Sequence, residues 1–491
     1  MIEKKLTLSQ LEQYLSKAAW ILKGPVDASD HKVYIFPLLF FKRISDVYYE
    51  EYNQAMVESG GDEDYALLPE FHRFDIPQDC HWNDVRETAT HVGLSIEKAL
   101  RGIEQANQEF LYGIFGDAPW SNKNKLSDKL LIDLIEHFSQ YRLGNENVNP
   151  DMLGQAYEYL IKHFADLTNK KAGEFYTPRS VVHLLGLILD PHEGESIYDP
   201  ACGTGGMLLE CALHLKDEGK ECRTLKLYGQ EINLLTSAIA RMNMFMHGIE
   251  EFSIVRGNTL TNPAFLENDE LKTFNVILAN PPYSIKAWDR KAFESDPYGR
   301  NLWGTPPQGC ADYAFQQHIH KSLDKDNGRS ISLWPHGILF RDAEAGMRRK
   351  MIEQDLVECV IGLGPNLFYN SPMEACLLIT KTNKEVGRKG KVLIINAVKE
   401  VRQDKNIAFL EPQHIERIYQ AYQAFQDQDG FCKVVDLDEV LSRNASLNMS
   451  LYVSNVDSSA EKITLDEALQ NWTQSSAELK NSMDELFAAL T

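Results

Sequence analysis

Residues 196–206, reading SIYDPACGTGG, constrain the architecture of this chain more than any other stretch. A short apolar strand (Ser196, Ile197, Tyr198) runs into a polar, glycine-rich turn, and an apolar helix opens at Met207. Strand, glycine turn and helix in direct succession form the first unit of a doubly wound sheet. Ligands sit at such turns because glycine lets them approach the backbone where a side chain would collide. A second strand-like run, Leu225 to Gly229, ends at Gln230-Glu231, and a third, Phe252 to Arg256, ends at Gly257-Asn258-Thr259. Successive strands thus close on polar or glycine residues along what would be one edge of the sheet.

The chemistry of that edge is partly legible. The turn has no GK[ST] to hold phosphates, so a P-loop is excluded. Asp199 immediately precedes the turn, and Glu231 ends the second strand, where a carboxylate can accept hydrogen bonds from both ribose hydroxyls of an adenosine-containing cofactor. A further buried strand, Phe274 to Ala279, stops abruptly at Asn280-Pro281-Pro282-Tyr283. A strand and a Pro-Pro turn explain the prolines but not the amide and the aromatic ring that flank them.

The first 150 residues differ in kind. Thr7 or Ser9 can cap a helix carrying Leu11, Leu15, Ala18, Ala19 and Leu22 at helical spacing, ended by Gly24-Pro25. A second helix is expected from about Pro37, with further helical patterns at Ile96 to Phe115, Leu130 to Tyr141 and Met152 to Phe164. Strand-like alternation is scarce before residue 190, and Gly144 to Pro150 is a plausible boundary. The segment Glu174-Phe175-Tyr176-Thr177-Pro178-Arg179 is too polar and irregular for core, and Thr177 with Pro178 reads as N-cap and first-turn residue of a helix from Arg179 to Leu189. At the other end, Leu465, Leu469, Trp472, Ser476, Leu479, Met483, Leu486 and Leu490 alternate spacings of four and three, a coiled-coil-like seam interrupted at Ser476. Such a helix either folds back on its own domain or docks on a partner helix, and the partner is favoured.

Composition limits the function. A formal net charge of −21 argues against a protein that grips nucleic acid unaided, since such proteins show a basic footprint. The apolar run from Val33 to Phe41 is about half of the ~20 residues a membrane span needs, and the N-terminus has no signal-like region, so a cytoplasmic protein with no membrane contact is expected. No CxxC pair occurs, which disfavours structural zinc, and no metal is expected. Local basic clusters at Arg341, Arg348, Arg349 and Lys350, and at Lys286, Arg290 and Lys291, are candidates for phosphate contacts.

The motifs DPACGTGGM, the acidic end of the second strand and NPPY, in that order, resemble the amino-methyltransferases that use S-adenosylmethionine. With the GEFYTPR segment and the helical N-terminal third, the chain resembles over nearly its whole length the modification (M) subunit of type I restriction–modification systems. The resemblance implies an α/β fold: a helical N-terminal domain (1–150), a Rossmann-like methyltransferase domain with a mostly parallel seven-stranded sheet (151–457), and a C-terminal helical tail for partner docking (458–491). It implies S-adenosyl-L-methionine as cofactor, with Glu174, Phe175, Tyr176, Thr177, Pro178 and Arg179, then Asp199, Gly203, Thr204, Gly205 and Gly206, lining the pocket and Glu231 on the ribose. Asn258 stands where many relatives carry Asp beside the adenine.

It also implies partners: a specificity (S) subunit that reads the DNA, a second M subunit in a complex of two M and one S, a restriction (R) subunit, and double-stranded DNA with a flipped adenine. Delegated readout resolves the objection from acidic charge. The expected chemistry follows from the amine. The exocyclic nitrogen of adenine is a poor nucleophile because its lone pair is delocalised into the ring. The Asn280 side-chain oxygen and the Pro281 carbonyl are suited to accept its N–H bonds, with Pro282 fixing their geometry and Tyr283 stacking on the flipped base. No cysteine follows a proline, as cytosine carbon-5 chemistry usually requires, and cytosine-amine enzymes usually carry Ser in place of Asn280. Rival readings are a protein-glutamine or RNA amino-methyltransferase, and a catalytically silent cofactor-binding scaffold.

Overall fold

The computed structural model describes residues 5–167, 177–368, 373–404, 407–453 and 465–490. Helix α1 (Leu8–Leu22) starts at Thr7, whose hydroxyl accepts from Gln10 N while the Gln10 side chain bonds back to Thr7 N. This reciprocal cap satisfies two orphan donors, and Leu11, Leu15, Ala18, Ala19 and Leu22 face the core as their spacing requires. Helix α2 (His31–Glu58) begins six residues before the expected start and carries Pro37 inside it. An internal proline costs about 3 kcal/mol. Tyr34, Ile35, Phe36, Leu38, Phe40 and Phe41 are nonetheless all buried around it, and at roughly 1.5–3 kcal/mol per buried side chain the packing outweighs that cost.

Helices α3 (Val92–Ala106), α4 (Asp128–Phe138) and α5 (Pro150–Leu167) complete the N-terminal bundle. Leu153, Tyr157, Leu160 and Phe164 of α5 share one core with Leu15, Phe36 and Phe138. That core also takes in Ile239, Met242, Phe245 and Met246. These four residues belong to the helix Leu234–Met246, so the helical third meets that helix across a continuous apolar seam, sealed by a hydrogen bond from Tyr157 Oη to the Ile239 carbonyl at 3.2 Å.

Beyond α6 (Arg179–Leu189), strands and helices alternate: β1 (Ser196–Asp199), α7 (Gly206–Asp217), β2 (Lys226–Glu231), α8 (Leu234–Met246), β3 (Phe252–Arg256) and β4 (Val276–Ala279). There follow α9 (Asp312–Lys321), β5 (Arg329–Pro335), α10 (Ala345–Glu353), β6 (Val357–Leu363), β7 (Ala375–Lys381), β8 (Lys391–Ala397), α11 (Pro412–Ala424) and β9 (Cys432–Asp436). One sheet holds them in the order β9-β8-β6-β7-β5-β4-β1-β2-β3. It has nine strands rather than the expected seven, because β8 and β9 extend it beyond β6. Only β7 against β5 and β6, and β9 against β8, run antiparallel. Strand β9 escapes a pattern search because its burial does not alternate: Lys433 and Asp436 are exposed, Val434 is half-buried, and the buried residues Cys432 and Val435 stand three apart.

Helices α6, α7 and α11 cover one face of the sheet, through Leu185, Leu208 and Ile418. On the other face lie α9 and α10, through Phe315, Ile319 and Met351. Strand order reverses between β1 and β4, which are parallel neighbours, and a doubly wound sheet opens its ligand crevice at the carboxyl ends of strands at such a point. Along the last helix, α12 (Leu465–Leu490), the described stripe residues Leu469, Trp472, Leu479 and Met483 are exposed, Trp472 at 70% and Leu479 at 64%.

Candidate functional site

The first three strands end together. Register pairs Asp199 with Gly229 and Glu231 with Arg256, so Asp199, Glu231 and the turn after Arg256 line one edge. Two glycines of the turn, Gly203 and Gly205, take backbone conformations that side chains disfavour. Gly205 has φ +79, and a Cβ there would stand 2.8 Å from Met244 Cε and 3.4 Å from Ala240 Cβ, so helix α8 closes directly on the turn. Gly203 has φ +52, and a Cβ at Gly203 or Gly206 would meet nothing within 4 Å. The turn is therefore closed towards the protein and open outwards. The Thr204 carbonyl accepts from Asn243 Nδ2 of α8 at 3.1 Å, fixing the crest of the turn.

Two carboxyl groups govern the electrostatics. Glu231 accepts from Gly203 N at 3.1 Å and from Asn233 N at 2.8 Å, bridging the glycine turn to the start of α8. Asp199 is fully buried; Oδ1 accepts from Ala201 N at 3.0 Å, while Oδ2 has no hydrogen-bond partner. Burial, reinforced by the nearby Glu231 charge, pushes its carboxyl up to about 8 against the opposing Ala201 bond. A buried acidic oxygen without a partner beside an open glycine cradle suits a ligand that brings a positive charge or a donor.

The loop after β3 is built from inside. Asn258 Oδ1 accepts from Leu260 N at 3.0 Å, which leaves its Nδ2 as the group to meet a ligand. Buried Gln230 fixes the following residues, donating to the Asn262 carbonyl at 2.8 Å and accepting from Ala264 N at 3.1 Å. Arg300, 1% exposed, donates to the carbonyls of Thr259 and Leu260, both at 2.8 Å, and to Asp296. Sequence reasoning missed Arg300. A charged residue in a polar loop carries no sign that it will be buried as a clamp.

Asn280 follows β4 immediately and lies next to β1 on the same edge. It is 9% exposed, with Pro281 buried and Pro282 and Tyr283 half-buried. Asn280 Nδ2 donates to Thr177 Oγ1 at 3.0 Å, and Oδ1 accepts from Tyr283 Oη at 2.6 Å. The amide is thereby oriented from both sides. Burial holds the Tyr283 phenol far above its usual range, with Cys376 and Asp312 adding to the effect, so its hydroxyl remains a donor.

Several expectations change here. Thr177 is not the cap of α6: Pro178 is the N-cap, without a side-chain cap bond, and the Thr177 hydroxyl serves Asn280 instead. Arg179 pairs with Glu158 of α5. Glu174, Phe175 and Tyr176 lie outside the described residues. The expected phosphate-contacting cluster is largely structural: Arg348 is fully buried on the carbonyls of Ala445, Ile338 and Arg341, and Arg341 binds Asp312 and Glu344. Arg290 likewise serves the Pro306 carbonyl and Glu294, whereas Lys286, Lys291 and Lys350 remain exposed.

Comparison with known proteins adds independent information. The sequence model of the family described as N-6 DNA methylase matches residues 148–461, and the one described as HsdM N-terminal domain matches residues 11–138. The type I restriction enzyme MjaVIII methylase subunit of Methanocaldococcus jannaschii is 31% identical over 95% of this chain and 82% of its own length. The MpnII methylase subunit of Mycoplasma pneumoniae is 29% identical over 96% of this chain and 94% of its own. A solved methyltransferase subunit of a type I restriction-modification system from Streptococcus thermophilus superposes with a TM-score of 0.80 at 29% identity, over 91% of this chain and all of that one.

Proposed function

This chain belongs to the N-6 DNA methylase family, among the methylase subunits of type I restriction enzymes, and we propose that its sheet edge moves the methyl group of S-adenosyl-L-methionine to the exocyclic amine of adenine in double-stranded DNA. The observation that carries this reading is the position of Asn280: an oriented amide at the end of β4, beside the open glycine turn that follows β1. An acceptor and a cofactor cradle share one crevice.

The residues present fit the cofactor. Partnerless Asp199 Oδ2 suits its cationic end, the outward face of Gly203 to Gly206 admits its backbone-hugging portion, Glu231 ends β2 where the ribose would lie, and Asn258 offers Nδ2 to the adenine. Thr177, whose hydroxyl meets the Asn280 amide, would line the same pocket. When bound, the cofactor supplies an electrophilic methyl group. The protein's own part is to present the amine. Asn280 Oδ1 and the Pro281 carbonyl accept its two N–H groups, drawing its lone pair out of conjugation, and orientation in line with the methyl supplies much of the remaining rate. The Tyr283 hydroxyl occupies the Asn280 acceptor in the free chain, so the amine takes over that bond as the ring moves to stack on the flipped base.

The subunit acts with a specificity subunit that selects the site, a second methylase subunit, and a restriction subunit for cleavage. This accommodates a net charge of −21, since base readout lies in another chain. We read residues 1–150 as the helical domain, 151–457 as the catalytic domain and 458–491 as the tail that docks on the specificity subunit; exposed Trp472 and Leu479 support that docking. The match to type I subunits in both the helical and the catalytic portions leaves the protein-glutamine and RNA alternatives without support. Asn280→Ala in the assembled complex should lower the methyl-transfer rate by about 10²–10³-fold while the cofactor dissociation constant holds. Near-wild-type transfer by that variant would remove Asn280 from catalysis.

A further inference from the structure

The reactive loop is held at both ends, and the second hold has no assigned role. After Tyr283 the backbone turns at Ser284 into the left-handed region, with φ +51, which a residue with a Cβ adopts only when its surroundings require it. The Ser284 N–H donates to Asp312 Oδ1 at 2.8 Å. Asp312 is the first residue of α9 and is fully buried. Its other oxygen, Oδ2, accepts from Arg341 Nη2 at 2.5 Å, and Arg341 Nε donates to Glu344 Oε2 at 2.8 Å. Glu344 is itself 1% exposed. A buried carboxylate, oriented by a guanidinium that is oriented in turn by a second carboxylate, therefore ends on the backbone beside the ring that must receive the base.

The same acids invite another reading. Cys310, Asp312 and Glu344 lie close enough together to share a cation. The Arg341 guanidinium already takes one oxygen from each carboxylate, so the cluster is better explained as a clasp than as an ion site.

We propose that Asp312 is a positioning residue for methyl transfer, holding the Asn280–Tyr283 loop in its reactive shape through the Ser284 N–H, with Arg341 and Glu344 fixing the carboxylate. This rests on the methyltransferase reading above. Asn280 is anchored at its side chain by Thr177, and Ser284 is anchored at its backbone by Asp312. Between the anchors, Pro281 and Pro282 fix the backbone φ at their own positions. Hydrogen bonds to an ionised acceptor are among the stronger ones, and misplacing a reacting group by about 1 Å can cost about 100-fold in rate.

The test uses the complete complex with its specificity subunit and a duplex containing its site. Single-turnover transfer of a tritiated methyl group is measured alongside the S-adenosylmethionine dissociation constant and the thermal midpoint. Asp312→Ala should slow transfer by roughly 10–100-fold with the cofactor dissociation constant unchanged. Asp312→Asn, which keeps an oxygen for Ser284 but turns an N–H towards Arg341, should recover part of that rate, a rescue that a purely structural role does not predict. If Asp312→Ala fails to fold, Arg341→Lys carries the test, with slower transfer and unchanged cofactor binding expected. Wild-type rates in Asp312→Ala, or in Arg341→Lys where that variant is the test, overturn the proposal. So does an Asn variant no faster than the Ala variant. A wild-type complex that methylates no adenine sinks the parent reading and this one with it, whereas an active wild type beside an indifferent variant sinks this one alone.

Discussion

Replacing Asp199 by Asn tests the electrostatics of the glycine turn without any partner protein. In the folded chain burial holds this carboxyl at about 8, against an ordinary value of 3.8. Between those values the unfolded chain releases a proton that the folded chain keeps, so the unfolded state binds fewer protons and stability falls as pH rises. The loss is at most about 1.4 kcal/mol per pH unit, giving a ceiling of roughly 4 kcal/mol between pH 5 and pH 8 and no further change above the folded value. Asn fills the same space and does not titrate. Urea unfolding of both proteins, followed by tryptophan fluorescence from pH 5 to pH 9, should show the variant gaining on the wild type by about 2–4 kcal/mol as pH rises to 8, then levelling off. Titrating groups that do not interact with Asp199 contribute equally to both proteins and cancel in the difference. A gap that stays constant or narrows with rising pH would mean that Asp199 is ionised in the free fold, and that Oδ2 has a partner there.

Two more predictions concern the loop and the tail. Thr177→Val keeps the side-chain shape but removes the acceptor for Asn280 Nδ2. Loss of a bond worth about 1 kcal/mol should slow methyl transfer roughly five-fold at unchanged cofactor affinity, and an unaltered rate in single-turnover assays would uncouple Thr177 from the amide. Deleting residues 458–491 should abolish co-purification with the specificity subunit, whereas a complex that survives the deletion would place the dock elsewhere.

Features written in consecutive residues are legible from the sequence, and features made by packing are not. The glycine turn, the acidic end of β2 and the Asn-Pro-Pro-Tyr loop each declare themselves within a few positions, and they come together on one edge because parallel strands carry their carboxyl ends to the same side. Helix α1 is readable because its cap and its apolar period agree. The start of α2 is not, since Pro37 is a local stop signal overruled by aromatic packing on both sides. Arg341 and Arg348 read as a solvent-facing basic cluster. Their acceptors (Asp312, Glu344 and the Ala445 carbonyl) lie up to 97 residues away in sequence, so charge alone does not distinguish a buried clasp from a phosphate contact. Thr177 shows the same limit on a smaller scale: a Thr-Pro pair before a helix reads as a cap, but the hydroxyl is needed by an amide 103 residues further on.

The central claim is that this chain decides which atom is methylated while another chain decides where. Its most direct test is to incubate the subunit with tritiated S-adenosylmethionine and site-bearing duplex DNA, with and without the specificity subunit, then digest the DNA and separate the nucleosides. The expected label is in N6-methyladenine, appears only when the specificity subunit is present, and disappears when the recognition site is scrambled. Label in a methylated cytosine, or equal labelling by the subunit alone, would contradict the account.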